Sequence, residues 1–286
     1  MHLREQRENS DEDLLRDALY YQLFDEAERA RWRMADIPFQ SIQKDRVSPG
    51  LLRLVRDIAT SELTTFSATR SFLREFSDDV DFTQWMSVWF YEESKHPVVL
   101  MRWLREFGET FDSSFVARGR ATASFMRSRF GMLVTNVISE LVASSNYLSL
   151  HKNSPEPVLA AIAKNLATDE ARHAKSFLAY ARRWLERSRD PDSDRTDALK
   201  VLYMWFQDNE RVQHPVNEFQ ARSASSSQAA EALRDLGIDQ SGAAERACRT
   251  IGSLVGCRLE SPEQIVSELA RLRARSEKTG EGHGQA

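Results

Sequence analysis

Apolar residues recur every three or four positions along most of the chain, the spacing of one face of an α-helix, and no run alternates apolar with polar as a half-buried strand would. The pattern predicts five long helices. The first spans about Ser10 to Met34; Ser10 can cap it, acidic residues fill its first turn, and Asp36-Ile37-Pro38 ends it. The second runs from Pro49 to Phe76, the third from Asp81 to Phe107, the fourth from Met132 to Leu150, and the fifth from Ser154, with Pro155 in its first turn, to Glu186. The stretch from Gly108 to Gly131 is long enough for a crossover, whereas the fourth and fifth helices are close enough in sequence to be antiparallel neighbours. Arg187 to Asp197 reads as a polar linker, followed by shorter helices near Ala198–Phe206, Ser227–Leu236, Ala243–Leu254 and Pro262–Ala274. The organisation expected is a bundle with its N-terminal helix over residues 1–186, a helical extension packed on it over 187–275, and a disordered tail over 276–286.

Composition narrows the class. A chain of 286 residues with 41% hydrophobic positions can bury a sizeable core, and only 11 glycines and 8 prolines disfavour a turn-rich β fold. The net charge of -4 gives no basic field for nucleic acid. Two cysteines nine residues apart, Cys248 and Cys257, are neither a metal clip nor a disulfide framework, so a reduced cytoplasmic setting is expected. The charged N-terminus does not read as a signal peptide, and no apolar stretch is long enough to span a membrane.

The chemistry lies in two E-x-x-H motifs, Glu93-Ser94-Lys95-His96 and Glu170-Ala171-Arg172-His173. On a helix, positions i and i+3 share a face, so each motif aims a carboxylate and an imidazole at one point, a donor pair suited to a divalent transition metal. Chance placement of the glutamates and histidines gives roughly 0.5 such motifs, so two alone are a weak signal. Their setting strengthens it. Both lie mid-way along apolar helices, where ionisable groups are costly unless paired or metal-bound. Each follows another mid-helix glutamate at nearly equal distance: Glu62 lies 31 residues before Glu93, and Glu140 lies 30 before Glu170. Asp57 is a second carboxylate on the helix of Glu62. Four glutamates and two histidines on four helices match the template of a four-helix bundle holding two metals. Glu92 and Asp169 stand beside the motifs. With pseudo-twofold symmetry, Asp169 would orient His96 and Glu92 would orient His173. His151 and His214 read as polar contacts rather than ligands.

The segments Trp89-Phe90-Tyr91-Glu92-Glu93-Ser94-Lys95-His96 and Asp169-Glu170-Ala171-Arg172-His173 resemble the soluble acyl-carrier-protein desaturases and the wider ferritin-like non-haem di-iron oxidases and oxygenases. The resemblance covers about Leu51 to Glu186 and implies an all-α ferritin-like four-helix bundle. It implies metal ligands Glu62, Glu93, His96, Glu140, Glu170 and His173, two Fe ions with Mn as an option, and O2 as co-substrate. Trp89 would correspond to an aromatic residue on an electron route, and Ser144 to a hydroxyl one turn after the third-helix glutamate. Ala143 stands where the desaturases typically carry that hydroxyl. Leu166 stands where arylamine N-oxygenases add a third histidine, and two cysteines cannot supply the four-cysteine iron module of the rubrerythrins. Pro97 removes a donor to the Glu93 carbonyl, so a kink or bulge is expected there.

The resulting expectation is an O2-dependent desaturase or hydroxylase acting on an apolar, acyl-like substrate. That substrate could ride on an acyl carrier protein received by Arg118, Arg120, Arg127 and Arg129. A ferredoxin or other reductase would supply electrons, and the protein would be a homodimer without nucleic-acid or membrane partners. The alternatives are a di-iron oxygenase of another small molecule in specialised metabolism and a metal-binding bundle without turnover.

Overall fold

The computed structural model describes residues 18–120, 126, 128–207, 214 and 241–281. Among them every regular element is a helix. These are α1 (Leu19–Ala30), α2 (Pro49–Glu62), α3 (Thr65–Glu75), α4 (Val80–Arg105), α5 (Ser113–Gly119), α6 (Arg129–Asn153), α7 (Pro157–Arg187), α8 (Pro191–Gln207), α9 (Ser241–Val255) and α10 (Ile265–Glu281), with short 3-10 turns between some of them. No helix among the described residues is long and apolar enough to cross a membrane.

Local chemistry sets the starts. Ser48 accepts from the Leu51 amide ahead of Pro49, Asp79 from Phe82, Ser128 from Gly131, and Glu156 from both Val158 and Leu159 ahead of Pro157. α7 thus begins at Pro157, three residues after the expected Ser154. The Glu156 carboxylate is fully buried and also accepts from Trp103 Nε1 at 2.8 Å, which locks this cap to α4.

Two apolar clusters define the bundle and reveal its direction. One is rich in rings, among them Phe72, Phe82, Trp85, Trp89 and Phe177; the other holds Leu54, Val55, Leu100, Trp103, Leu159 and Leu166. α4 passes from the first to the second, and so does α6; α7 passes back, and α2 followed by α3 also runs from the second to the first. Since α4 and α6 are parallel, the chain between them must traverse the bundle, and α5 lies on that crossover. This is a ferritin-like four-helix architecture, with α2–α3 forming one of the four rods.

Five sequence expectations need correction. The predicted Pro49–Phe76 helix is split at Leu63-Thr64. Thr60, Ser61 and Thr64 turn their hydroxyls onto the carbonyls of Arg56, Ile58 and Ser61, a local competition that Ser and Thr offer to helical bonding. The first helix ends at Ala30, short of Met34; its expected cap, Ser10, lies outside the described residues. The polar linker is mostly helix: Asp190 Oδ1 accepts from the Ser193 amide and starts α8 at Pro191. At the C-terminus α10 runs on to Glu281, into the stretch expected to be disordered. α4 stays α-helical through Pro97, so the bulge expected there is absent, although the proline gives no amide to the Glu93 carbonyl. The expected Ser227–Leu236 helix lies outside the described residues.

Outer helices fasten to the bundle through polar anchors. Asp81 at the start of α4 accepts from the amides of Leu19 and Tyr20 (3.1 and 2.8 Å), capping α1, and pairs with Arg183 of α7. α9 and α10 each pack on α8, and α8 and α9 pack against α6. At the α2–α3 junction, Gly119 of α5 approaches so closely that a Cβ there would sit 2.5 Å from Leu63 Cβ. Gly119→Ala should therefore cost about 1–3 kcal/mol by overpacking, read as a melting-temperature drop of roughly 2–4 °C per kcal/mol in a thermal unfolding scan.

Candidate metal centre

The residues between the two apolar clusters form a polar layer across the bundle. α2 supplies Glu62, α4 supplies Glu92, Glu93 and His96, α6 supplies Glu140, and α7 supplies Asp169, Glu170 and His173. All but Glu62 are buried, and the Glu62 side chain retains only 12% exposure. Donor atoms of Glu62, Glu93, His96 and Glu170 gather within 4.8 Å of one another, and so do those of Glu93, Glu140, Glu170 and His173. The two pockets share Glu93 and Glu170, one glutamate from each half of the bundle. Asp57 belongs to neither pocket.

Each imidazole turns Nδ1 inward. His96 Nδ1 lies 3.5, 3.6 and 3.4 Å from oxygens of Glu62, Glu93 and Glu170. His173 Nδ1 lies 2.8, 3.4 and 3.9 Å from oxygens of Glu93, Glu170 and Glu140. The outward nitrogens meet carboxylates across the bundle: His96 Nε2 is 3.3 Å from Asp169 and His173 Nε2 is 3.1 Å from Glu92. That is the cross-pairing expected from pseudo-twofold symmetry, and it fixes both rings with Nδ1 free to face a cation.

The terminal glutamates are held in a matching way. Tyr147 donates its hydroxyl to Glu62 Oε1. Trp89 Nε1 donates to Glu140 Oε1 at 3.2 Å, and Asn136 Nδ2 donates to the same oxygen at 2.7 Å. In both cases Oε1 is occupied and Oε2 faces the histidine. Arg172, inside the second motif, bridges the two outer carboxylates, donating to Glu92 and Asp169 at 2.7 Å each. Ser144, one turn beyond Glu140, donates to the Ala167 carbonyl at 3.0 Å and so ties α6 to α7.

Trp32 is a residue that the sequence reading missed. It lies past the end of α1, and its Nε1 donates to Asp169 at 2.7 Å. The Lys95 ammonium sits 4.4 Å over its ring. Trp32, Asp169 and His96 thus form a hydrogen-bonded line from a half-exposed indole to the cluster. No local pattern marks Trp32, because its partner is 137 residues away. A groove of about 510 Å3, floored by Phe76, Phe82 and Tyr180 and rimmed by Arg183, Arg187 and Arg189, opens at the ring-rich end of the bundle. Ring contacts through Phe177 separate it from Trp89.

The charge balance tests whether cations fit. Among the described residues the six carboxylates face two cations, Arg172 and the half-buried Lys95, leaving four negative charges that two divalent ions would neutralise. Glu93 Oε1 and His96 Nδ1 are buried without a hydrogen bond of good geometry, although each lies near an opposite group. Without cations, protons take their place. Burial, then repulsion from Glu170, push the Glu93 carboxyl up to about 7. Burial and Glu170 raise Glu140 well above the ordinary carboxylate range. Burial opposes charge on Glu170 too, but the hydrogen bond from Glu140 and the facing His96 outweigh it and hold Glu170 well below that range. Burial would strip the protons from His96 and His173, yet the carboxylates around them override it and hold both well above the usual imidazole value. The layer is a buried carboxylate–histidine cluster able to hold two metal ions.

Fold and cluster together describe a ferritin-like bundle whose buried donor layer could hold two metal ions. Solved structures share this fold. An R2-like ligand-binding oxidase with an aerobically reconstituted Mn/Fe cofactor aligns with a TM-score of 0.55 and 16% identity, over 84% of this chain and 92% of that one. A variant with an aerobically reconstituted Fe/Fe cofactor gives 0.55 and 16% over 84% and 93%. Another variant, with an Mn/Fe cofactor, gives 0.56 and 15% over 84% and 93%. No protein-family model and no curated protein sequence matches the chain.

Metal affinity should depend on pH with a definite sign. Glu93 holds a proton up to about 7 and the surrounding carboxylates hold both imidazoles protonated well above their usual value, so a divalent ion must displace protons to bind. Affinity should fall as pH falls. Chelator-competition titrations with Mn2+ should show at least about ten-fold weaker binding at pH 6 than at pH 8, with protons released into the medium.

Proposed function

We propose that the protein is an O2-dependent oxidase with a di-iron or manganese–iron centre. The observation that carries this reading is the pair of overlapping pockets, each with its own histidine and terminal glutamate and both sharing Glu93 and Glu170. When bound, the two ions supply the electrons that reduce O2. The Mn/Fe and Fe/Fe cofactors of the structural neighbours support the metal assignment.

The chain's own residues do the rest. Glu62, Glu93 and His96 would hold one ion with Glu170, and Glu140, Glu170 and His173 the other with Glu93. Asp169 and Glu92 fix the imidazoles, and Arg172 holds those two carboxylates in place. The flanking apolar layers keep bulk water from the polar one. Electrons from a ferredoxin or other reductase would enter beside Trp32, the half-exposed member of the line to His96, rather than through the buried Trp89.

For the reaction type we favour desaturation or hydroxylation of an apolar, acyl-like substrate. Support comes from the likeness of both motif segments to the carrier-protein desaturases and from the apolar walls on each side of the centre. A carrier-bound substrate is consistent with Arg118 and Arg120 on the crossover. Arg118 bonds Ser114 and Arg120 stacks on Phe66, and neither forms an ion pair with a carboxylate among the described residues. Arg129 pairs with Asp78, and Arg127 lies outside the described residues. A homodimer is the assembly proposed.

Metal analysis of single variants tests the centre directly. Wild type should carry two ions. Glu93→Ala and Glu170→Ala should lose both, because each serves both pockets; Glu62→Ala and Glu140→Ala should lose mainly one. Reduced wild type should consume O2, and absence of O2 consumption with both ions bound would make the protein a metal-binding bundle without turnover. Trp32→Phe should keep both ions yet be reduced about ten-fold more slowly by an external donor in stopped-flow, whereas Trp89→Phe, which strips a donor from Glu140, should weaken the second ion by roughly 10–100-fold.

A further inference from the structure

Asn136 stands one helical turn before Glu140, buried to 2% exposure. Its two amide ends are chemically opposite, and the carboxylate of Glu140 accepts only from the NH2 end. That end is in place, with Nδ2 at 2.7 Å from Glu140 Oε1. The oxygen end therefore faces away from Glu140, and there it meets His214: the imidazole Nε2 lies 3.3 Å from Asn136 Oδ1. His214 is itself buried to 4% and packs edge-on against Trp205 of α8, with ring centroids 5.8 Å apart. It belongs to the extension that follows the bundle, 74 residues after Glu140 in sequence.

We propose that His214 is a positioning residue for the second metal pocket, acting through Asn136 on Glu140. The inference rests on the di-metal reading above. An Nε2–H on His214 donates to Asn136 Oδ1 and fixes the amide with NH2 toward Glu140. Asn136 and Trp89 then occupy Oε1 together, so that Oε2 alone is turned to the cluster, 3.9 Å from His173 Nδ1. Without the His214 donor the amide could rotate and set Oδ1 against the carboxylate, an acceptor against an acceptor. Burial keeps the imidazole neutral down to about 3, so the ring carries a single N–H at any working pH. The second pocket is thereby completed by the C-terminal extension, which supplies none of its ligands among the described residues.

The test titrates the metal-free full chain with Co2+ and follows the visible absorption of each bound ion. Wild type should take up two equivalents. His214→Phe, which keeps the bulk and removes the donor, should bind the first equivalent normally and the second about 10–100-fold more weakly. His214→Gln, whose amide restores a donor, should recover most of the loss. Glu140→Ala marks the signature of the second pocket. Two equivalents bound by His214→Phe at wild-type strength would overturn the proposal while leaving the di-metal reading intact. No stoichiometric Co2+ in wild type would sink that reading and the proposal with it. Should His214→Phe fail to fold, nitrogen-15 NMR of the Zn2+-loaded wild type decides. An Nε2–H tautomer for the histidine signal that is lost in His214→Gln is the expected result, and an Nδ1–H tautomer overturns the proposal.

Discussion

Six carboxylates set across the middle of an apolar bundle govern this structure. Removing an ionised carboxylate from water costs several kcal/mol even after relaxation, so such a layer persists only with opposing charge or bound protons. Every nearby feature answers that demand. Arg172 bridges the two outer carboxylates, the histidines each face carboxylates on both ring nitrogens, and the oxygens turned away from the cluster are capped by Tyr147, Trp89 and Asn136. α4 and α7 carry ligands at their midpoints and run as single rods through both apolar clusters, so the layer is clamped from above and below.

The helices and the six central donors were legible in the sequence because both are local properties. A 3.6 period marks a buried face, and an i, i+3 pair on a helix converges wherever that helix is placed. The break after Glu62 was not legible from glycine or proline, since neither occurs there. The signal was the hydroxyl run Thr60, Ser61 and Thr64, which offers the backbone side-chain partners. Arg187 to Asp197 misled for the converse reason: a polar sequence can still be helical once Asp190 caps it. Trp32, Tyr147 and His214 reach the site through contacts spanning 78 to 137 residues, and no spacing rule encodes those.

The helices after the bundle are more than a support. α8 and α9 pack along α6, the rod that bears Asn136 and Glu140, and Trp205 on α8 backs His214. A layer of donors that looks like the private property of four helices is therefore framed by parts of the chain well outside them.

The duplication visible in the sequence, a glutamate followed by E-x-x-H and then the same again, suggests two self-sufficient halves. The geometry denies it. The pocket built around Glu62, Glu93 and His96 borrows Glu170, and the pocket built around Glu140, Glu170 and His173 borrows Glu93. Neither repeat is a module in its own right: cut between them, the chain would yield two fragments each lacking a wall of both pockets. The functional unit is the interlock of the two repeats, so a substitution in one is felt in the pocket of the other.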